Sequence, residues 1–336
     1  FQMAFALHTA GDKYALKHYD IKLLNFFLQS ANEPSKDVSN HPYTSLRYGV
    51  GSHVFNLRME TSKAMIAKLA DYGTANIDPD SNGQPVTIGQ FCTIENSPPD
   101  YMLLGDAATQ GHGHDCFGLG LCMLHLFTGD APYEEILENV RCPPTLKMKL
   151  QKIWQSPSSG GYDVIKNIIL DDVYDDDIEG EADDTLYDTL YRFLVLFGIP
   201  EEKFQIKEHG KVWRAITYSL ESPSTEKSTG HKGRRKQTKK NRDGQDAAQY
   251  KRDCKQFSLS HGEDTRIANA KKNLEKMDGG LELLRSLVAF DPNNRATALD
   301  VINSSFMAPL IEEPGFCGSV EDSDLVHSFM AYATKK

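Results

Sequence analysis

The 336 residues lack several features that would place the chain in a common class. The cysteines stand at 92, 116, 122, 142, 254 and 317, and no two form a CxxC pair. That spacing excludes the usual zinc ribbons and offers no disulfide framework, which points to a reducing, intracellular setting, cytoplasmic or nuclear. No apolar run exceeds Phe193–Ile199, far short of a bilayer span, and no basic-then-apolar leader opens the chain. Positive charge is also outnumbered, with 37 Lys and Arg against 47 Asp and Glu. The net charge of −10 removes any general attraction to nucleic acid or anionic lipid. No membrane or specific nucleic-acid partner is expected. No internal repeat occurs. The chain starts at Phe1, already within a helical pattern, so a fragment or a processed chain is expected.

What remains is a chain with a 40% hydrophobic fraction, long enough to bury a core without staples. Met3, Leu7, Ala10 and Tyr14 recur at helical spacing, ending near Gly11–Asp12 or soon after. Phe26–Leu28 reads as a short strand and residues 30–45 as a loop. Val54–Met59 and Ala64–Leu69 are apolar or alternating and could pair as strands. Leu119, Cys122, Met123, Leu126 and Phe127 form an apolar helix, and Pro132 opens another, short one. Residues 171–188 carry ten acids and no base, and residues 227–242 carry eight Lys or Arg and no acid. Such blocks read as solvated or disordered segments, although Leu186–Phe197 keeps a helical apolar face. Compact patterning returns after 280. Leu283, Leu284, Leu287 and Val288 share a helix, Asp291–Asn294 makes a turn, and Thr297–Asp300 reads as a capping box.

Two short polar constellations suit phosphoryl transfer. His18-Tyr19-Asp20-Ile21-Lys22-Leu23-Leu24-Asn25 offers a carboxylate, a cation and a carboxamide from one tight loop. Phosphoryl transfer needs a carboxylate to orient the attacking hydroxyl, a cation near the γ-phosphate and oxygen ligands for Mg²⁺. Ala70-Asp71-Tyr72-Gly73 follows a strand-like run and offers a further oxygen ligand beside a pliable glycine. His112 and His114 hint at metal but lack further ligands nearby.

Taken in order, these segments resemble the protein-kinase family. His18–Asn25 is similar to H-R-D-L-K-x-x-N, and Asp71-Tyr72-Gly73 to D-F-G. Pro98-Pro99-Asp100 is similar to A-P-E, His114–Gly120 to D-x-W-S-x-G, and Asp291–Arg295 to D-P-x-x-R. The resemblance covers 1–154 and 281–310 and leaves out 155–280. It implies a mainly α fold with a few short β-strands, the kinase-like C-lobe, formed from 1–154 and 281–312. It also implies a partly disordered insert at 155–280 and a C-terminal tail at 313–336. The implied activity is an ATP- and Mg²⁺-dependent serine/threonine kinase acting on protein Ser or Thr.

The resemblance implies roles residue by residue. Asp20 would orient or accept the substrate hydroxyl proton, Lys22 would steady the transferred phosphoryl charge and contact ATP, and Asn25 and Asp71 would hold Mg²⁺. Thr93 would bond Asp20 and Lys22. His18 and Tyr72 would stack in a hydrophobic spine, Gly73 would free the loop, Asp115 would hold the catalytic-loop backbone, and Asp100 would pair with Arg295. Three departures stand out. Tyr19 replaces the arginine that pairs with a phosphorylated activation loop, so activity is expected to be independent of that phosphorylation. Asn25 and Asp71 lie 46 residues apart, which implies a hairpin grown between them, with Tyr48–His53 as its flexible entry. The glycine-rich loop, strand lysine and partner glutamate helix of the N-terminal lobe are missing, and that lobe is expected upstream of residue 1. Without it the chain as given is expected to bind ATP poorly. The alternative is a pseudokinase or scaffold that binds partners through 155–280.

Overall fold

The computed structural model describes residues 1–32, 41–87, 90, 93–104, 108–142, 187–193, 196–197, 265–289, 292–312 and 325–330. The acidic run up to 186, the basic run 227–242 and Asp291 lie outside the described residues.

The described chain mixes helices with two small sheets. Helix α1 spans Gln2–Tyr14 and buries Ala4 and Leu7; it ends where Ala15 turns left-handed at φ 52°. Strands β1 (Phe26–Ser30) and β4 (Met65–Leu69) pair antiparallel, with Phe26 opposite Leu69. Between them grows the hairpin of β2 (Tyr43–Val50) and β3 (His53–Glu60), turned at Gly51 with φ 56°. The expected pairing of Val54–Met59 with Ala64–Leu69 is therefore corrected: each finds a different partner. The loop reading of 30–45 is corrected at its ends, where Ser30 closes β1 and Tyr43–Ser45 open β2, and its residues 33–40 lie outside the described residues; the flexible-entry reading of Tyr48–His53 is corrected because Tyr43–Val50 is a regular strand. It is held on both sides, since β5 (Leu325–Met330) adds to it in parallel. Two eight-residue strands also make the fold more evenly α/β than the few short strands expected.

Helix α2 covers Pro99–Leu104 and α3 covers Gly113–Thr128. Helix α3 is buried from His114 through Cys122, so it must be apolar on all sides. Phe117, Leu121 and Leu124 face one cluster with Tyr133, Leu137 and the helical residues 187–193. Cys116, Leu119 and Cys122 face a second cluster with α1 and the β2–β3 hairpin. Burying a side chain such as Phe117 or Leu124, both 0% exposed, contributes roughly 1.5–3 kcal/mol, so α3 is the spine of the core.

Helices α4 (Thr265–Lys276) and α5 (Gly280–Leu287) pack on α3, and α6 (Ala298–Ile302) packs on α1. Tyr187, Leu190, Phe193, Ile267, Ala270 and Leu274 belong to the same cluster as α3. The described parts of the 155–280 segment, 187–193, 196–197 and 265–280, thus contribute to the core rather than standing apart from it. The capping box at Thr297 is present: its hydroxyl accepts from the Asp300 N–H, and Asp300 accepts from the Thr297 N–H. Among the described residues no helix is long and apolar enough to cross a membrane.

Candidate active site

The loop after α1 is fixed from beneath by α3. Asp115, in the first turn of that helix and 3% exposed, accepts from the backbone N–H groups of His18 and Tyr19, both at 2.7 Å. Burial pushes the Asp115 carboxyl up to about 6, against the two donors that favour its charge. Tyr19 stands at φ 64°, a left-handed conformation costly for a bulky side chain, and the paired N–H bonds hold it there. Close approach is possible because α3 has glycine at 118. A Cβ there would lie 2.6 Å from the Ile21 carbonyl oxygen.

The turn so formed gathers polar groups around Asp20. Its Oδ1 accepts from the Thr93 hydroxyl at 3.0 Å. Its Oδ2 meets Lys22 Nζ at 3.0 Å and the Asn25 Nδ2 at 2.9 Å. Lys22 Nζ also donates to Thr93 Oγ1 at 3.3 Å, and Asn25 Nδ2 also donates to the Asp20 carbonyl at 2.8 Å. Burial alone would raise the Asp20 carboxyl. The donors Lys22, Asn25 and Thr93, with the charge of Lys22, outweigh burial and hold it below the usual range.

Asp71 is brought to the same loop by strand pairing. The β1–β4 ladder continues as Ala70 N–H to the Asn25 carbonyl at 2.9 Å, and His18 Nε2 meets the Ala70 carbonyl at 2.9 Å. Asp71 follows at φ 60°, and its Oδ1 lies against Gly73. Residues 25 and 70 are therefore neighbours although the hairpin separates them in sequence. Tyr72 departs from expectation. Its ring meets His18 tilted at 56°, its hydroxyl donates to the Leu69 carbonyl, and it stays 52% exposed, so it forms no buried stack.

Asp100 and Arg295 meet at 2.6 Å with side chains 2% and 0% exposed. Arg295 also donates to the carbonyls of Ala289 and Gly113 and lies over the Phe117 ring. His114 is buried between the rings of Tyr19 and Tyr101, and burial pushes it down to about 3, so it is neutral. Among the described residues no group of three or more His, Cys, Asp or Glu could hold a metal ion. Asn25 and Asp71 would supply two oxygen ligands, which suits Mg²⁺ because it keeps waters and substrate phosphates in its remaining positions.

No protein-family model matches the chain, and no curated protein matches it.

Sequence reasoning missed Lys17 and Gln110. Lys17 is 0% exposed and donates to the Asp78 carbonyl at 2.8 Å and the Ser81 hydroxyl at 2.9 Å. Gln110 joins Asn76, Gln90 and Tyr19. No local pattern marks either one. A lone lysine or glutamine shows its burial only once the fold brings its partners.

Proposed function

We propose that the chain is the catalytic lobe of a protein serine/threonine kinase, with a kinase-like fold, using ATP and Mg²⁺ to phosphorylate Ser or Thr in other proteins. The observation that carries this reading is the clamp on Asp20: Lys22, Asn25 and Thr93 all donate to one carboxylate. A carboxylate held by fixed donors is preorganised and costs no reorganisation when the substrate arrives.

Mg²⁺, when bound, would screen the phosphate charges. The chain's own residues would do the rest. Asp20 is kept ionised by its neighbours, so it accepts a hydrogen bond from the substrate hydroxyl and aims it for in-line attack. Lys22 sits on the same carboxylate, a short reach from incoming phosphoryl oxygens. Asn25 spends Nδ2 on Asp20, so its Oδ1 is the atom that would hold Mg²⁺, with the Asp71 carboxylate as the second oxygen donor. Thr93 bonds Asp20 and Lys22 together, and so orders the segment on which a Ser or Thr would dock.

The test is MgATP binding to the full natural chain by calorimetry. Asp71→Asn is expected to weaken it at least tenfold while leaving the fold intact by circular dichroism. Unchanged binding would remove Asp71 from the site.

A further inference from the structure

Beside the Asp20 clamp lies a second polar knot, centred on three neutral carboxamides. Gln110, 7% exposed, accepts at Oε1 from Gln90 Nε2 at 2.6 Å and from Asn76 Nδ2 at 2.9 Å, with the Tyr19 hydroxyl a longer third donor at 3.4 Å. Its Nε2 donates to the Pro85 carbonyl at 2.9 Å. The backbone fixes the polarity of every amide. Asn76 Oδ1 accepts from the Asp78 N–H at 2.8 Å, so Asn76 must point its NH₂ at Gln110. Gln90 Oε1 accepts from the Thr87 N–H at 2.7 Å, so Gln90 must do the same. The Pro85 oxygen can only accept, which sets Gln110 itself. Backbone bonds continue the knot: Gln110 N–H to Gln84, Gly83 N–H to Gln110, and a reciprocal pair between Lys17 and Asn76.

These bonds join three places. Tyr19 precedes Asp20, Asn76 follows the Asp71 turn, and Gln90 lies three residues before Thr93, whose hydroxyl holds Asp20. We infer that Gln110 is a positioning residue: its carboxamide holds Asn76 and Gln90 in register with the catalytic loop at Tyr19, so that Thr93 meets Asp20. This rests on the kinase reading for its effect on turnover, but the positioning itself is a property of the fold. A buried amide network is made or broken as a unit, and removing Gln110 takes the acceptor from the Asn76 and Gln90 carboxamides at once. Misplacing a positioning group by about 1 Å can cost on the order of 10²-fold in rate.

The experiment uses the full natural chain and the variants Gln110→Met, Thr93→Ala and their combination. Amide exchange at Thr87 and Gln90 is followed first. It is expected to speed up at least tenfold in Gln110→Met, with the amides of α3 unchanged; unchanged exchange at Thr87 and Gln90 overturns the inference. Phosphate transfer from MgATP to casein is followed next. Gln110→Met is expected to lower kcat at least tenfold and to leave the MgATP dissociation constant within twofold. Thr93→Ala is expected to cost less than threefold more on top of Gln110→Met, because both changes break the same bond to Asp20. Fully additive losses would mean that Gln110 acts by stability alone, and would also overturn it. A natural chain that neither binds MgATP nor transfers phosphate would end the kinase reading, while the exchange result would still decide the positioning claim.

Discussion

Removing Arg295 should unbalance the buried pair that ties α2 to the turn before α6. Its guanidinium and the Asp100 carboxylate are 0% and 2% exposed and 2.6 Å apart. Arg295→Met keeps most of the apolar stem but takes the cation away from a carboxylate that is buried from water. It also takes a donor from the carbonyls of Gly113 and Ala289. Breaking a buried pair from one side costs about 3–5 kcal/mol, a large part of the ~5–15 kcal/mol that holds a typical domain together. Urea unfolding should therefore show a lower midpoint with an unchanged slope. Asp100→Leu alone should cost a similar amount, because it strands the cation. The double variant Asp100→Leu/Arg295→Met should cost clearly less than the sum, since no charge is left unpaired. A loss below about 1 kcal/mol in either single variant, or strict additivity, would refute the view that the pair is buried and mutually required.

Other outcomes follow from the same contacts. Gly118→Ala drives a Cβ into Ile21 and should cost about 1–3 kcal/mol and slow turnover, read by melting and by kcat together. Protonating Asp115 as pH falls through about 6 removes an acceptor from the His18 and Tyr19 amides, so kcat should drop there. Because that pKa is raised above the unfolded value, the folded state takes the proton first. This group therefore adds stability as pH falls through that window, and activity should fall without a matching loss of melting temperature through Asp115. Thr297→Ala should lower stability by about 1 kcal/mol in urea melts, through loss of the cap on α6. Phosphatase treatment should leave kcat unchanged, since Tyr19 is buried, its hydroxyl donates to Gln110, and it offers no cation for a phosphate to meet; a large loss would defeat that reading.

Some of this architecture is legible in the residues alone. The stripe of α1, the apolar run of α3 and the box at Thr297 are local signals, and local signals survive folding. The Asp20, Lys22 and Asn25 loop is equally local. The pairing of Asp100 with Arg295 spans 195 residues and is readable only through the resemblance to a family. The hairpin between Asn25 and Asp71 is legible from the length of the separation, but its strand pairing is not. A strand-like pattern, alternating in Val54–Met59 and nearly continuous in Ala64–Leu69, does not say which strand each pairs with. The parallel addition of Leu325–Met330 to β2 has no turn to announce it. The Gln110 knot is the least legible part, because a neutral amide in a loop looks like solvent-facing polarity until Asn76 and Gln90 are seen to close on it.

Transfer of the ATP γ-phosphate to Ser or Thr of casein, compared between the natural full-length chain and Asp20→Asn, tests the account most directly. The expectation is Mg²⁺-dependent transfer by the natural chain and a loss of about 10²–10³-fold in the variant, with MgATP still bound. Equal transfer by both, or none by the natural chain, would contradict it.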